Sequence, residues 1–170
     1  MRDPSDQEYV EYVTARMPAL RRLAYLLAGD EHRADDLVQQ AITTLYLKWR
    51  QARRADHLDA YVRTMLVRTF LNERRLAWSR VRLFRDTPDP APVEEDGIED
   101  RHVVRAALAE VPRRQRAVLV LRFLYDLPVD EVAEMLSCTS GTVKSQTSRG
   151  LATLRRLLEQ REFVDYSTMS

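Results

Sequence analysis

Hydrophobic residues in the first half of the chain recur at steps of three and four, the spacing of one face of an α-helix. The first such segment ends before Gly29-Asp30, a pair that favours a helix stop. The second is expected over residues 31–49. The third starts near residue 58, with Asp56 as a candidate N-cap, and continues into the eighties. RQARRADH (50–57) is a predicted basic loop between them. The expected core positions of the second and third helices are Ala34, Leu37, Val38, Ala41 and Leu45, and Val62, Met65, Leu66, Thr69 and Phe70.

The second half of the chain contains shorter apolar segments separated by polar turns. Helices are expected over residues 103–110, from Pro112 through an apolar run, over residues 128–136, and over residues 141–160. SCTS (137–140) is predicted to be a tight turn, with Thr139 or Ser140 capping the last helix. The expected inward positions are Val118, Leu119, Leu121 and Leu124 in the helix from Pro112, and Val143, Thr147, Leu151, Leu154 and Leu158 in the last helix.

A segment without a hydrophobic pattern separates the two halves. DTPDPAPVEEDGIED (86–100) has three prolines, seven acidic residues and almost no large apolar residue, so it is predicted to be an extended linker. The sequence therefore predicts an all-α protein with two small helical domains, residues 1–85 and 101–162, and a tail, residues 163–170. The formal charges are +5 over residues 1–85, −7 over 86–100 and +3 over 101–170, so the two basic blocks favour a polyanionic partner.

Several classes of protein are disfavoured by the composition. No apolar run approaches the roughly 20 residues of a membrane helix, and the acidic N-terminus is unlike a signal peptide, so we expect a cytoplasmic protein without membrane insertion. One cysteine and three scattered histidines form no metal-binding pattern. Because no phosphate loop and no nucleophile arrangement is visible, we expect no enzyme activity, cofactor or small-molecule substrate.

The third helix combines a core face with a basic face. Residues 60–85 contain seven arginines and a single acidic residue, an excess that ion pairing within the helix does not explain. One polar stripe of this helix consists of Thr64, Arg68, Asn72, Arg75 and Ser79. This pattern favours a surface that contacts phosphates over an ordinary solvated face.

The segment SCTSGTVKSQTSRG (137–150) is small and polar although apolar helices flank it. Ala133, Ser137 and Val143 occupy the three places where a helix-turn-helix needs a small residue, a turn and a core aliphatic. A helix that enters a major groove about 12 Å wide must avoid bulky apolar residues on its outer face. The pattern therefore favours DNA binding over a merely solvent-exposed helix. The candidate DNA-contacting residues are Thr142, Lys144, Ser145, Gln146, Ser148 and Arg149.

Two motifs in this order resemble one family. DDLVQQAITTLYLKW (35–49) and DLPVDEVAEMLSCTSGTVKSQTSRGLATLR (126–155) are similar to those of bacterial extracytoplasmic-function (ECF) sigma factors, specifically the SigE-like type of actinobacteria. The resemblance covers about residues 5–160. It implies a sigma-2 domain, the linker and a sigma-4 helix-turn-helix domain, which together would bind core RNA polymerase, direct it to −10 and −35 promoter elements and promote DNA opening.

The resemblance also implies roles for particular residues. The helix that begins at residue 31 would dock on the clamp helices of the polymerase β′ subunit, and the helix from Pro112 would bind the β-flap. The basic loop and the third helix would capture an extruded −10 base. Many members of the family are held inactive by an anti-sigma factor, which is a further expected partner. The six candidate DNA-contacting residues of the last helix would read the −35 element. The implied docking residues are Asp35, Asp36, Leu37, Gln39 and Gln40, and the implied −10 residues are Tyr61, Arg63, Arg68, Asn72 and Arg75.

Four positions depart from the family pattern. Gln40 stands where glutamate is usual, which affects one expected polymerase contact. Arg68 and Asn72 replace an asparagine and an acidic residue, so the −10 preference is expected to differ. Ser137 replaces the usual turn glycine. The alternative to a sigma factor is a stand-alone helix-turn-helix regulator with an N-terminal sensing or dimerisation domain, although such a sensor needs neither DDLVQQAI nor the basic helix.

Overall fold

The computed structural model describes the backbone of residues 3–73 and 98–168, with the side chains of residues 3–73 and 100–162. These residues form two compact units, one from each half of the chain. All regular elements of the described ranges are helical, in agreement with the predicted all-α class. No helix among these residues is long and apolar enough to cross a membrane.

The N-terminal unit consists of four helices: α1 (Pro4–Ala28), α2 (Glu31–Leu47), α3 (Trp49–Ala52) and α4 (Leu58–Asn72). Aspartates start the first two helices: the Asp3 carboxylate accepts a hydrogen bond from the Ser5 N–H, and Asp30 accepts one from the Arg33 N–H at 2.8 Å. Gly29 ends α1 in the left-handed conformation, at φ 86°, as the Gly-Asp pair predicted.

Helices α1, α2 and α4 enclose the core of the N-terminal unit. The predicted stripe of α2 is buried along its length, and Val62, Leu66 and Phe70 of α4 are buried as expected. The Tyr9 hydroxyl adds a polar tie by donating a 2.6 Å hydrogen bond to the Ile42 carbonyl, and partial burial raises the pKa of Tyr9. The buried residues of this unit are Val13, Leu20, Leu23, Ala24, Leu27, Ala28, Ala34, Leu37, Val38, Ala41, Leu45, Trp49, Ala52, Val62, Leu66, Val67 and Phe70.

The connection between α2 and α4 differs from the prediction. The second helix stops at Leu47 instead of near Trp49, because Lys48 leaves helical geometry and Trp49 begins the short helix α3. The predicted basic loop is therefore only residues 53–57. Asp56 is not the N-cap of α4, since His57 holds that position and makes no side-chain capping hydrogen bond. The predicted continuation of this helix into the eighties lies outside the described residues.

The C-terminal unit contains helices α5 (Ile98–Glu110), α6 (Arg113–Leu119), α7 (Val129–Met135) and α8 (Ser140–Thr168). Helix α5 begins at Ile98 and so takes in the last residues of the predicted linker. The other residues of that linker lie outside the described ranges. Arg116 closes the corner between α5 and α6: its guanidinium is buried and donates hydrogen bonds to the carbonyls of Ala109 and Val111.

A π-helical segment, Val120–Leu124, continues α6. Val120 and Leu121 are buried, whereas Phe123 and Leu124 are 54% and 56% exposed, so the prediction that Leu124 faces inward is wrong. The wider π turn rotates the end of the helix relative to the α-helical register on which that prediction relied.

Helices α7 and α8 form the predicted helix-turn-helix. Ala133 and Val143 are buried, and Ser137 adopts a left-handed φ of 52°. The Cys138 N–H donates to the Ala133 carbonyl at 2.9 Å and the Ser137 N–H donates to the Glu134 carbonyl, which is the Schellman arrangement of a helix C-terminus. All three special positions of the motif are therefore confirmed.

Helix α8 is longer than predicted at both ends. It begins at Ser140, with the Thr139 hydroxyl accepting from the Thr142 N–H at 3.1 Å, and it continues through most of the predicted tail to Thr168. Leu151, expected on the inner face, is 37% exposed. Gly150 is buried instead, because α8 crosses α6 closely at this residue, where a Cβ would lie tighter than ordinary van der Waals contact.

Candidate DNA-binding and polymerase-docking surfaces

The outer face of α8 carries the residues predicted to read the −35 element. Lys144, Ser145, Ser148 and Arg149 are exposed, while Thr142 and Gln146 are half-buried. Residues 140–158 contain four basic side chains and no acidic one. The structure thus brings the six predicted residues onto one helix whose charge suits a polyanion.

Local hydrogen bonds organise the start of this helix. The hydroxyls of Thr139 and Thr142 lie 2.9 Å apart, and the Ser140 hydroxyl donates to the Asp130 carboxylate of α7 at 2.7 Å. The Ser145 hydroxyl donates to the Thr142 carbonyl, which leaves its oxygen lone pairs as acceptors. These bonds tie the first turn of α8 to the preceding helix and hold the small hydroxyl side chains in defined orientations.

The inner side of α8 is supported by α6. A Cβ built on Gly150 would lie 3.1 Å from Leu119 Cδ1 and 3.3 Å from Gln115 Cβ, which is closer than ordinary van der Waals contact. One turn further along, the Thr153 hydroxyl is 3.3 Å from the Gln115 side-chain oxygen. The sequence pattern does not indicate Gly150 and Gln115 as contact residues, because it places the apolar Leu151 on the inner face of the last helix. Their importance comes from the contact between two helices.

The face of α4 predicted to contact −10 DNA is only partly assembled from the predicted residues. At about 100° per residue, Tyr61, Arg68 and Asn72 share one side of the helix. Tyr61 is half-buried, and Arg68 and Asn72 are exposed. Arg63 lies about 160° away from Tyr61, on the side that carries Val62 and Leu66, and it is half-buried. Helical geometry therefore removes Arg63 from this face, and Arg75 lies outside the described residues.

The predicted docking residues lie on the outer face of α2, with one exception. Asp35, Asp36 and Gln39 are exposed, and Gln40 is half-buried at the edge of that face. The Asp35 carboxylate lies 3.6 Å from the Arg21 guanidinium of α1, an exposed ion pair. Leu37 is 0% exposed, so its side chain belongs to the core and does not form part of a docking surface. The reason is that Leu37 falls on the buried stripe of the same helix.

No cluster of histidine, cysteine, aspartate or glutamate side chains in the described parts of the chain could hold a metal ion. The candidate surfaces are instead the basic helix α8, the basic loop at residues 53–57 with the adjoining helix α4, and the acidic outer face of α2.

Comparison with known proteins matches both halves of the chain to parts of one family. Residues 12–80 match the model of sigma-70 region 2, and residues 101–154 match the model of sigma-70 region 4. The RNA polymerase sigma-E factor of Streptomyces coelicolor is 35% identical over 161 residues, covering 91% of this chain and 88% of that protein. The chain belongs to the ECF sigma factors of the sigma-70 family.

Other relatives also align with most of this chain and with most of their own length. The sigma-E factor of Streptomyces avermitilis is 35% identical and covers 91% of this chain and 87% of its own. The ECF sigma factor EcfG of Rhodopseudomonas palustris is 29% identical over 150 residues, with coverages of 86% and 82%. As a sigma factor, the protein binds core RNA polymerase and directs it to promoter DNA, and it is not an enzyme. The alternative of a stand-alone regulator is not favoured, because regions 2 and 4 match in order.

Solved structures of sigma factors share the fold. The sigma factor RpoE of Bartonella quintana, in a complex with the anti-sigma factor NepR, matches with a TM-score of 0.69 at 23% identity, covering 90% of this chain and 98% of that chain. CnrH, in a complex with the cytosolic domain of CnrY, matches with a TM-score of 0.59 at 18% identity, covering 91% of this chain and 90% of that one. At these identities the likeness describes the fold.

Proposed function

We propose that this sigma factor divides promoter recognition between its two units. Residues 101–162 read the −35 element through the outer face of α8. Residues 1–85 dock on the polymerase and open the −10 DNA, and the acidic segment 86–100 connects the two. The single observation that carries the proposal is the outer face of α8 over residues 140–158, which has no acidic side chain and has small hydroxyls around Lys144 and Arg149.

The −35 contacts follow from the chemistry of this face. Arg149 is exposed and can donate two parallel hydrogen bonds to a guanine edge or one to a phosphate. Lys144 serves as a phosphate contact, and the hydroxyls and Gln146 contribute shorter-range hydrogen bonds. A helix presenting these groups discriminates among base pairs in the major groove, where each pair has a distinct donor and acceptor pattern.

In the N-terminal unit, the loop at residues 53–57 and the face with Tyr61, Arg68 and Asn72 receive the −10 DNA. An aromatic ring and guanidinium groups suit an unstacked base and its phosphates. Asp35, Asp36, Gln39 and Gln40 form the polymerase-docking face, and the partners are the β′ clamp helices for α2 and the β-flap for α6. The exposed pair Phe123 and Leu124 supports an apolar contact at the end of α6.

Two further assignments rest on the relatives. The protein works in the cytoplasm, where the polymerase is, and it is restrained by an anti-sigma factor that binds it, as the anti-sigma factor NepR binds the RpoE of Bartonella quintana.

The experiment is run-off transcription with purified core polymerase on genomic promoter fragments, with and without this protein. Transcripts that depend on the protein would supply its −35 and −10 sequences. On such a promoter, Arg149→Ala should reduce −35 binding by about 1–3 kcal/mol if the guanidinium reads a base.

The matched control for that substitution is Arg155→Ala. Arg155 is also exposed on α8, so the control removes the same charge, but it lies outside the candidate reading set. Equal losses from the two variants would show that general charge attraction, and not base reading by Arg149, accounts for the effect.

A further inference from the structure

The loop at residues 53–57 is held at both ends by helix α1. At its first residue, Arg53 Nη1 lies 3.1 Å from Glu8 Oε2 and 3.5 Å from the Ser5 hydroxyl. Both partners lie in the first turns of α1. The start of the loop is therefore tied to a helix that is remote in sequence.

The other end of the loop is held by residues about one turn further along α1. The Tyr12 hydroxyl donates a 2.7 Å hydrogen bond to Asp59 Oδ1, and Arg16 Nη2 lies 2.8 Å from Asp59 Oδ2. Both oxygens of the Asp59 carboxylate, in the first turn of α4, are thus engaged by α1. Burial, with the hydrogen bond to Asp59 second, raises the pKa of Tyr12 above its ordinary value of 10.0.

The four α1 residues involved lie on one stripe. Ser5, Glu8, Tyr12 and Arg16 are separated by steps of three and four, so they share a face of the helix. The ring of Tyr12 also packs against Trp49, with the ring centroids 5.7 Å apart, and Trp49 is the buried first residue of α3. Tyr12 therefore contacts both helices that flank the loop.

These ion pairs contribute little to the stability of the fold. The Arg16–Asp59 and Arg53–Glu8 pairs are about half exposed, and ion pairs of that kind contribute little to folding free energy. Their geometric effect is larger, because they fix the two ends of a short loop relative to α4. A loop held in its bound geometry loses less conformational entropy when it captures a ligand.

We infer that Tyr12 and Arg16 of α1, acting through Asp59, are positioning residues for the loop that captures the −10 base, with Glu8 holding its opposite end. The inference rests on the proposed −10 role of residues 53–57 and α4. It assigns to α1 a function in promoter opening in addition to its place in the core.

The test uses holoenzyme assembled from core polymerase and the full-length protein. Its two readouts are affinity for a single-stranded non-template −10 oligonucleotide and permanganate reactivity of −10 thymines on the duplex promoter. Tyr12→Phe deletes only the hydroxyl, and it should weaken oligonucleotide binding and thymine reactivity by about 2–10-fold, the range expected for a group that must be ordered on binding. Affinity for core polymerase and for a −35 duplex should stay unchanged.

The chain contains a matched control. The Tyr46 hydroxyl also donates to an α1 carboxylate, Asp6 Oδ1, at 3.1 Å, and among the described residues no hydrogen bond or ion pair joins that pair to residues 53–57. Tyr46→Phe should therefore leave −10 binding unchanged. Equal effects of Tyr12→Phe and Tyr46→Phe on −10 binding would overturn the inference. So would a loss of −10 binding by Tyr12→Phe that a fall in thermal stability fully accounts for.

A third variant separates this inference from the proposal on which it rests. Arg68→Ala removes a candidate −10 contact directly. If Arg68→Ala weakens −10 binding and Tyr12→Phe does not, the positioning role fails while the −10 face stands. If neither substitution has an effect, the −10 assignment itself fails, and the inference fails with it. A double-mutant cycle of Tyr12→Phe with Asp59→Asn should be non-additive, because both changes break the same hydrogen bond.

Discussion

Gly150 of α8 packs closely against α6. A Cβ at this position would lie 3.1 Å from both Cγ and Cδ1 of Leu119 on α6. Gly141, near the start of the same helix, is open by comparison, since its Cβ would meet only the Thr139 hydroxyl, at 3.8 Å. The same substitution at these two positions should therefore have opposite effects.

The expected magnitudes follow from two opposing terms. Alanine is a better helix former than glycine by about 0.5–1 kcal/mol, and this gain applies in full to an interior helix position. Adding a methyl group to a closely packed contact costs about 1–3 kcal/mol. For Gly150→Ala we expect a net destabilisation of about 1 kcal/mol. For Gly141→Ala, in the first turn, we expect stabilisation of about 0.5 kcal/mol.

Amide hydrogen exchange of α6 and α8 in the full-length protein measures the stability of this unit directly. Because about 1.4 kcal/mol is a factor of ten, protection should fall about fivefold in Gly150→Ala and rise about twofold in Gly141→Ala. If Gly150→Ala increased protection as much as Gly141→Ala, the contact between α6 and α8 would not be the constraint that we infer.

Three further predictions concern other elements. Ser137→Gly should stabilise the protein by about 0.5–1 kcal/mol in denaturant unfolding, since glycine relieves the left-handed backbone at φ 52°, and a loss of stability would contradict this. Leu37→Ala should lower the unfolding free energy by about 2–5 kcal/mol, because it removes a buried side chain. Asp36→Ala should change the unfolding free energy by less than about 0.5 kcal/mol and should weaken core-polymerase binding in a pull-down. The reverse pattern would return Leu37 to the docking surface. The folded-state pKa of Tyr12 lies above its ordinary value of 10.0, so its contribution is fully present below pH 10 and is lost as the pH rises through the folded-state value. Unfolding free energy should therefore fall less steeply above pH 10 in Tyr12→Phe than in the parent, and parallel profiles would refute the link.

Local patterns were enough to predict the all-α class and much of the core. The stripe of α2 was fully predicted because its five apolar residues keep helical spacing without interruption. The helix-turn-helix was predicted for a similar reason: Ala133, Ser137 and Val143 each meet a requirement of the local backbone or of the adjacent helix. These requirements act over short distances in the chain, so spacing alone exposes them.

Predictions failed where the register or the partner depended on distant residues. The π turn at Val120–Leu124 shifted Leu124 outward. Helical periodicity placed Leu37 in the core, whereas the motif resemblance placed it on the docking surface. Its burial agrees with the periodicity.

By itself, the sequence determined the helical class, the two basic halves, the turn before α8 and the small polar side chains of that helix. Tertiary structure alone decided that Gly150 faces α6 in place of Leu151, and that Tyr12 and Arg16 meet Asp59, which lies 47 residues from Tyr12 along the chain. The physical reason is range. Helical periodicity and capping depend on neighbours a few residues away, whereas close helix crossings and hydrogen bonds between helices exist only after the chain has brought those helices together.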